Sequence, residues 1–291
     1  MSKICQLDKS YDLWLSYSWS SNNHGICGHT FEVLDYYYIL KNHFKVGILL
    51  AEDIDWGMLY NAIISKYDFT PEEIQSIKDN VVFYNRPKLL VGSNILFTDG
   101  GVKSLKDYTL LFDNIIHFAC GDMEIEYSKD HVLLDKRVYS FNGIDYKKRI
   151  LFDRLLTVNK HKDNTLVYAT KNCRDLSADY YKTLSKTYNN LLVITNEENK
   201  PAGINYIIPP VKNLFEQFST FVYTPVERHL DCSPRFITEC KYYNKDVIYD
   251  NIDYWEEDKG LYWRKWDIDN DFESLYLKED DDIIDIIKSI I

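Results

Sequence analysis

The chain has 291 residues, with 34 Lys and Arg against 45 Asp and Glu, 45% hydrophobic and 27% charged side chains; that composition excludes a disordered, collagen-like or mini-protein chain and leaves ample material for a core. At roughly 100–200 residues per domain the length predicts two domains. No window holds the ~18 uninterrupted apolar residues of a spanning helix, and Met1–Asp8 lacks the apolar stretch and cleavage site of a signal peptide, so no membrane partner and a cytoplasmic location are expected.

Six cysteines (5, 27, 120, 173, 232, 240) form no Cys-x-x-Cys pair, which predicts reduced thiols rather than disulfides or a zinc site. The net charge of −11 is local: residues 246–285 hold 15 acidic and 4 basic side chains. Upstream, Lys147, Lys148, Arg149, Arg154, Lys160 and Lys162 form a basic run, read either as a solvated face or as a phosphate-facing one.

Along the chain, short β-rich runs alternate with helical periodicity, the pattern of βαβ units and a parallel sheet. Ile4–Leu7 reads as a first strand, followed by a polar loop through Ser16–Asn23 and a helix carrying Phe31, Val33, Leu34, Tyr37, Tyr38 and Leu40. Next come a strand at Phe44–Leu50, a helix at Trp56–Tyr67, and a helix at Pro71–Lys78 with Thr70 at its cap and Glu73 three residues on. Strands at Asn80–Tyr84, Asn94–Thr98 and Asn114–Ala119 complete the first half. The second half predicts strands at Thr165–Ala169, Asn190–Thr195, Asn205–Pro209, Thr220–Thr224 and Asp246–Tyr249, with helices at Asp175–Thr187, Val211–Phe218 and Arg235–Tyr243. After Glu279–Asp282, the isoleucines 283, 284, 286, 287, 290 and 291 form an amphipathic helix. It is expected to pack on the first domain, with a dimer contact as the competing reading. The expected fold is α/β: two Rossmann-like domains facing a cleft, at residues 1–148 and 149–275, and a C-terminal helix at 276–291 that returns to the first.

Three places have residues suited to chemistry. The loop Ser18–Gly28 puts Gly25 and Gly28 at a helix start, where free backbone N–H groups can hold a phosphate or serve ordinary helix capping. Beside it, Trp14, Tyr17 and Trp19 can stack on a sugar or a flipped base or pack a rim, and Trp19 and His24 are placed on the acceptor side. Asp99, before two glycines, is either a general base for an acceptor hydroxyl or a turn residue. In Thr224–Glu239, seven residues separate Asp231 from Glu239, and Ser233-Pro234 opens a helix between them. The helix start, with Ser233 and Arg235, presents donors for a diphosphate, and Glu239 can accept hydrogen bonds from a ribose diol. The plainer alternative is a capped helix with surface carboxylates. The carboxylate pairs Glu124/Glu126 and Glu279–Asp282 lack accompanying His, so no divalent metal is required.

The order of strand, short helix, strand ending in Pro, acid, loop, helix with Glu239 and then Lys245-Asp-Val-Ile resembles the second domain of GT-B glycosyltransferases. Asp231 matches the first acid of that family's paired-acid motif, where Glu is commoner, and Glu239 matches the second; the Gly-Phe-Gly that often follows is absent. The resemblance implies a nucleoside diphosphate sugar as donor, most simply a uridine diphosphate sugar, and no tightly bound cofactor. It implies Lys171 and Arg174 against the diphosphate, with Pro234 at the helix start, and His117, in the apolar run Ile115–Phe118, against the donor sugar; the alternative for His117 is a core residue. Compact size and a composition rich in Asn, Lys, Ile, Tyr and Asp resemble the phage enzymes that glycosylate hydroxymethylated cytosine. That implies double-stranded DNA bearing hydroxymethylcytosine, or its glucosylated form, as acceptor, a host-cytoplasmic location, and a monomer or weak dimer. A transferase of cell-surface glycan synthesis and a non-catalytic nucleotide- or sugar-binding protein are the alternatives.

Overall fold

The computed structural model describes residues 4–16, 26–50, 52, 54–84, 89–98, 109–119, 138–142, 150–168, 178–195, 200–223, 235–249 and 281–291. The chain forms two compact units: Met1–Tyr60, Thr70–Leu151 and Asp269–Ile291 make the first, Asn61–Phe69 and Phe152–Ile268 the second. Among the described residues every pairing between strands is parallel in both.

Among the described residues of the first unit, nine strands make two sheets: β1 (Ile4–Gln6), β2 (Leu13–Ser16), β3 (Val46–Leu50), β4 (Val81–Phe83), β5 (Leu89–Val91), β6 (Asn94–Phe97), β7 (Thr109–Leu111), β8 (Asn114–Ala119) and β9 (Val138–Asn142). The large sheet runs β4-β3-β2-β6-β8-β9. Counted in chain order within that sheet this is 3-2-1-4-5-6, the Rossmann order, in which the direction of winding reverses between the first and fourth strands. Every residue of its inner strands β2 and β3 is buried, as expected of strands covered on both faces.

The first strand of that sheet is therefore Leu13–Ser16, and the predicted first strand at Ile4–Leu7 belongs to a second sheet, β1-β5-β7. Only four residues long and framed by polar sequence, β2 carries too little alternation to be separated from the loop after it. The small sheet prolongs the large one, since β1, β5 and β7 lead into the neighbouring strands β2, β6 and β8. At the junction, Gly92 N donates to Leu111 O (3.2 Å) and Asp113 N to Ser93 O (2.7 Å), while Asn94 Nδ2 reaches Asp12 O (2.8 Å) and Asn114 Nδ2 reaches Asn94 Oδ1 (2.9 Å). Leu7, Trp14, Leu49, Leu90, Ile95, Phe97, Phe112 and Ile115 pack as one core across the two sheets. Trp14 is buried there, which corrects its reading as a stacking or rim residue. A Cβ at Gly47 would overlap the Trp14 indole, so the paired strands β2 and β3 need glycine at that position.

Helix α1 (Gly28–Leu40) packs on β2 and β3, and its Tyr36 ring meets Phe118 of β8 (5.8 Å). Helix α2 (Trp56–Lys66) follows, then α3 (Pro71–Asp79), whose N-terminus carries the predicted capping box: Glu73 N donates to Thr70 Oγ1 (3.3 Å) and Thr70 N to Glu73 Oε2 (2.8 Å). Tyr38 Oη of α1 donates to Glu73 Oε1 (2.7 Å), tying the two helices together.

Among its described residues the second unit has five strands: β10 (Thr165–Tyr168), β11 (Leu191–Ile194), β12 (Asn205–Ile207), β13 (Thr220–Tyr223) and β14 (Asp246–Tyr249). Their spatial order, β12-β11-β10-β13-β14, is 3-2-1-4-5 with the same reversal. Helix α4 (Ala178–Thr187) lays Tyr181 and Leu184 on Val167, Val193 and Val222, and helix α5 (Arg235–Tyr242) connects β13 to β14. Asn190 and Asn244 adopt left-handed φ angles of 51° and 53° in the turns leading to β11 and β14, a conformation asparagine tolerates well. Asn213, at φ 57°, does the same within the predicted helix Val211–Phe218, leaving only a 3-10 turn at Leu214–Glu216. An aromatic group of Phe215, Phe218, Phe221, Phe236 and Tyr243 fills the space around this turn, β13 and α5.

Residues Asn61–Phe69, the second half of α2 and the turn after it, belong to this unit although they lie early in the chain. Tyr67 forms an antiparallel bridge with Leu155, flanked by Leu156 N to Lys66 O (2.9 Å) and Asp68 N to Arg154 O (2.8 Å). The last helix, α6 (Asp281–Ile290), belongs to the first unit and buries Ile283, Ile284 and Ile287.

Candidate functional site

In open parallel sheets of this order, ligands bind outside the carboxyl ends of the strands where the winding reverses. In the second unit that point lies between β10 and β13. Because β13 and β14 are parallel, α5 must run back from the carboxyl edge to the amino edge, which brings its first turn, at Arg235, to the carboxyl edge. Along this helix a charged cluster is assembled. Glu239 Oε1 accepts from Lys66 Nζ at 2.6 Å and from Arg235 Nε at 2.7 Å, and Arg235 Nη2 donates to Tyr67 Oη at 3.1 Å. The Glu239 side chain is 1% exposed, that of Arg235 12% and that of Lys66 15%.

The local sequence explains half of this cluster. Arg235 and Glu239 stand four residues apart and so share one helix face. Lys66 ends α2, where a cation suits the helix dipole, and the bridge at Tyr67 and Leu155 fixes the backbone from which Lys66 and Tyr67 project. Burial, the largest single influence on Glu239, pushes its carboxyl up, but the charges of Lys66 and Arg235 and their hydrogen bonds together outweigh it and hold the carboxyl below its ordinary value. The alternative of a surface carboxylate is thereby excluded for Glu239. With both cations on Oε1, Oε2 is a buried acceptor with no hydrogen bond among the described residues, and Thr238 Oγ1 beside it is another. Burial raises the neighbouring Cys240 thiol well above its usual value, and Tyr243 is raised by burial and by the Glu239 charge. Both are therefore held neutral, with Tyr243 Oη donating to Leu156 O at 2.8 Å.

In the first unit the reversal lies between β2 and β6. Ser16 ends β2, and its carbonyl accepts from Thr98 N at 3.3 Å. Thr98 Oγ1 is buried without a hydrogen bond among the described residues. His117 lies on β8 in register with Phe97 and is 1% exposed, inside the sheet rather than on its rim. Gly28 opens α1 after Cys27, whose N–H donates to Thr30 Oγ1 (3.3 Å); a Cβ at Gly28 would meet open space, so neither packing nor backbone conformation demands glycine there.

Of the candidate residues, the structure thus brings Arg235 and Glu239 into direct contact and places Gly28 and His117 in the other unit. Gly25, Trp19, His24, Asp99, Lys171, Arg174, Asp231, Ser233 and Pro234 lie outside the described residues. Lys66 and Tyr67 were not legible as members of the cluster: Tyr67 and Arg235 are 168 positions apart, and no local pattern links them. Among the described residues no three His, Cys, Asp or Glu side chains are grouped to hold a metal, and no helix is long and apolar enough to cross a membrane. No protein-family model matches the sequence, and no curated protein is similar to it.

Proposed function

We propose that the chain is a GT-B glycosyltransferase that moves a sugar from a uridine diphosphate sugar to a hydroxyl acceptor. The observation that carries the reading is the Arg235–Glu239 pair at the start of the helix after the fourth strand of a 3-2-1-4-5 sheet, where the paired-acid resemblance expects donor-binding groups. In this reading Arg235, with Ser233, Lys171 and Arg174, neutralises the diphosphate, and Glu239 Oε2 accepts from the ribose diol. The reading requires Oε2, buried in the free protein, to be uncovered as the donor enters. The acceptor oxygen bonds to the anomeric carbon as the bond from that carbon to the phosphate oxygen breaks. Uridine diphosphate leaves with the electron pair, and Asp99 takes the acceptor proton.

The acceptor we favour is hydroxymethylcytosine, or its glucosylated form, in double-stranded DNA. Binding through the basic run Lys147–Lys162 would then fall steeply with salt as counterions are released. A transfer assay with labelled uridine diphosphate glucose and hydroxymethylcytosine, glucosylated or unmodified DNA tests the reading. Label is expected in modified DNA only. Donor hydrolysis with no labelled DNA points to a glycan acceptor, and donor binding without hydrolysis to a binding protein. Glu239→Ala is expected to weaken uridine diphosphate binding by about 1.5–3 kcal/mol, the scale of charged hydrogen bonds; an unchanged dissociation constant removes Glu239 from the donor site.

A further inference from the structure

We draw no further inference here: the strongest candidate, the outer face of the small sheet β1-β5-β7 on which Ile4 and Leu111 stand exposed, carries nothing because nothing in the structure shows what covers it.

Discussion

The large sheet of the first unit and the sheet of the second reverse their strand order at the same place, between the first and fourth strands, yet the units differ in the chemistry they carry. In the first unit, Ser16 and Thr98 bring hydroxyl groups to the reversal, and the sheet is prolonged by β1, β5 and β7 around a core that contains Trp14. In the second, the helix that follows the fourth strand carries a buried carboxylate shared by two cations. One topology thus carries two electrostatic environments. The order of a parallel sheet follows from apolar strands and right-handed crossovers, which do not constrain the residues outside the carboxyl edge. Residues outside the strands are free to specialise, and in the second unit those beside α5 have gathered charge that costs stability unless it is paired.

Breaking that charged cluster is the largest test of the contrast. Glu239→Ala leaves Lys66 and Arg235 without their common partner and is expected to destabilise the second unit by about 3–5 kcal/mol, read as a lower urea midpoint of the transition that this unit dominates. A loss below about 1 kcal/mol would show that the cluster is solvated in solution.

Acid sharpens the same point. Because the folded-state value of Glu239 lies below its ordinary 4.5, its contribution to stability is complete above about pH 4.5 and is lost as pH falls through the lowered folded value. Glu239→Gln should therefore be less stable than wild type at neutral pH, and the gap should close in acid. A pH-independent difference would contradict the ion pairing.

In the first unit the expected failure is steric. Gly47→Ala drives a methyl group into the Trp14 ring and should cost about 1–3 kcal/mol, the scale of overpacking, without changing the transition of the second unit. The smallest expected effect is at the α3 capping box, where Thr70→Ala removes the acceptor of Glu73 N and should lower stability by about 1 kcal/mol. Both are measured by urea denaturation of the full chain.

Elements whose signal is confined to a few neighbouring residues were legible without coordinates. The capping box at Thr70 and Glu73, the apolar runs of β3 and β8 and the helix from Arg235 each follow from short-range rules. Arg235 and Glu239 were each singled out as donor-binding residues, but their pairing with one another was not read from the sequence and appears in the structure. Four-residue β2 was given no element, with only Ser16 in the expected loop, and the helix expected at 211–218 shrank around left-handed Asn213, because short segments carry little periodicity. The sequence by itself determined the class of fold, the alternation of strands and helices, and the helix that carries Arg235 and Glu239. Tertiary structure alone decided which strand begins the large sheet, that Trp14 is core, and that Lys66 and Tyr67 stand against Arg235 and Glu239. The physical reason is range: hydrogen-bonded turns and apolar periodicity act over a few residues, whereas a buried charge is satisfied by whichever part of the chain the fold brings within hydrogen-bonding distance.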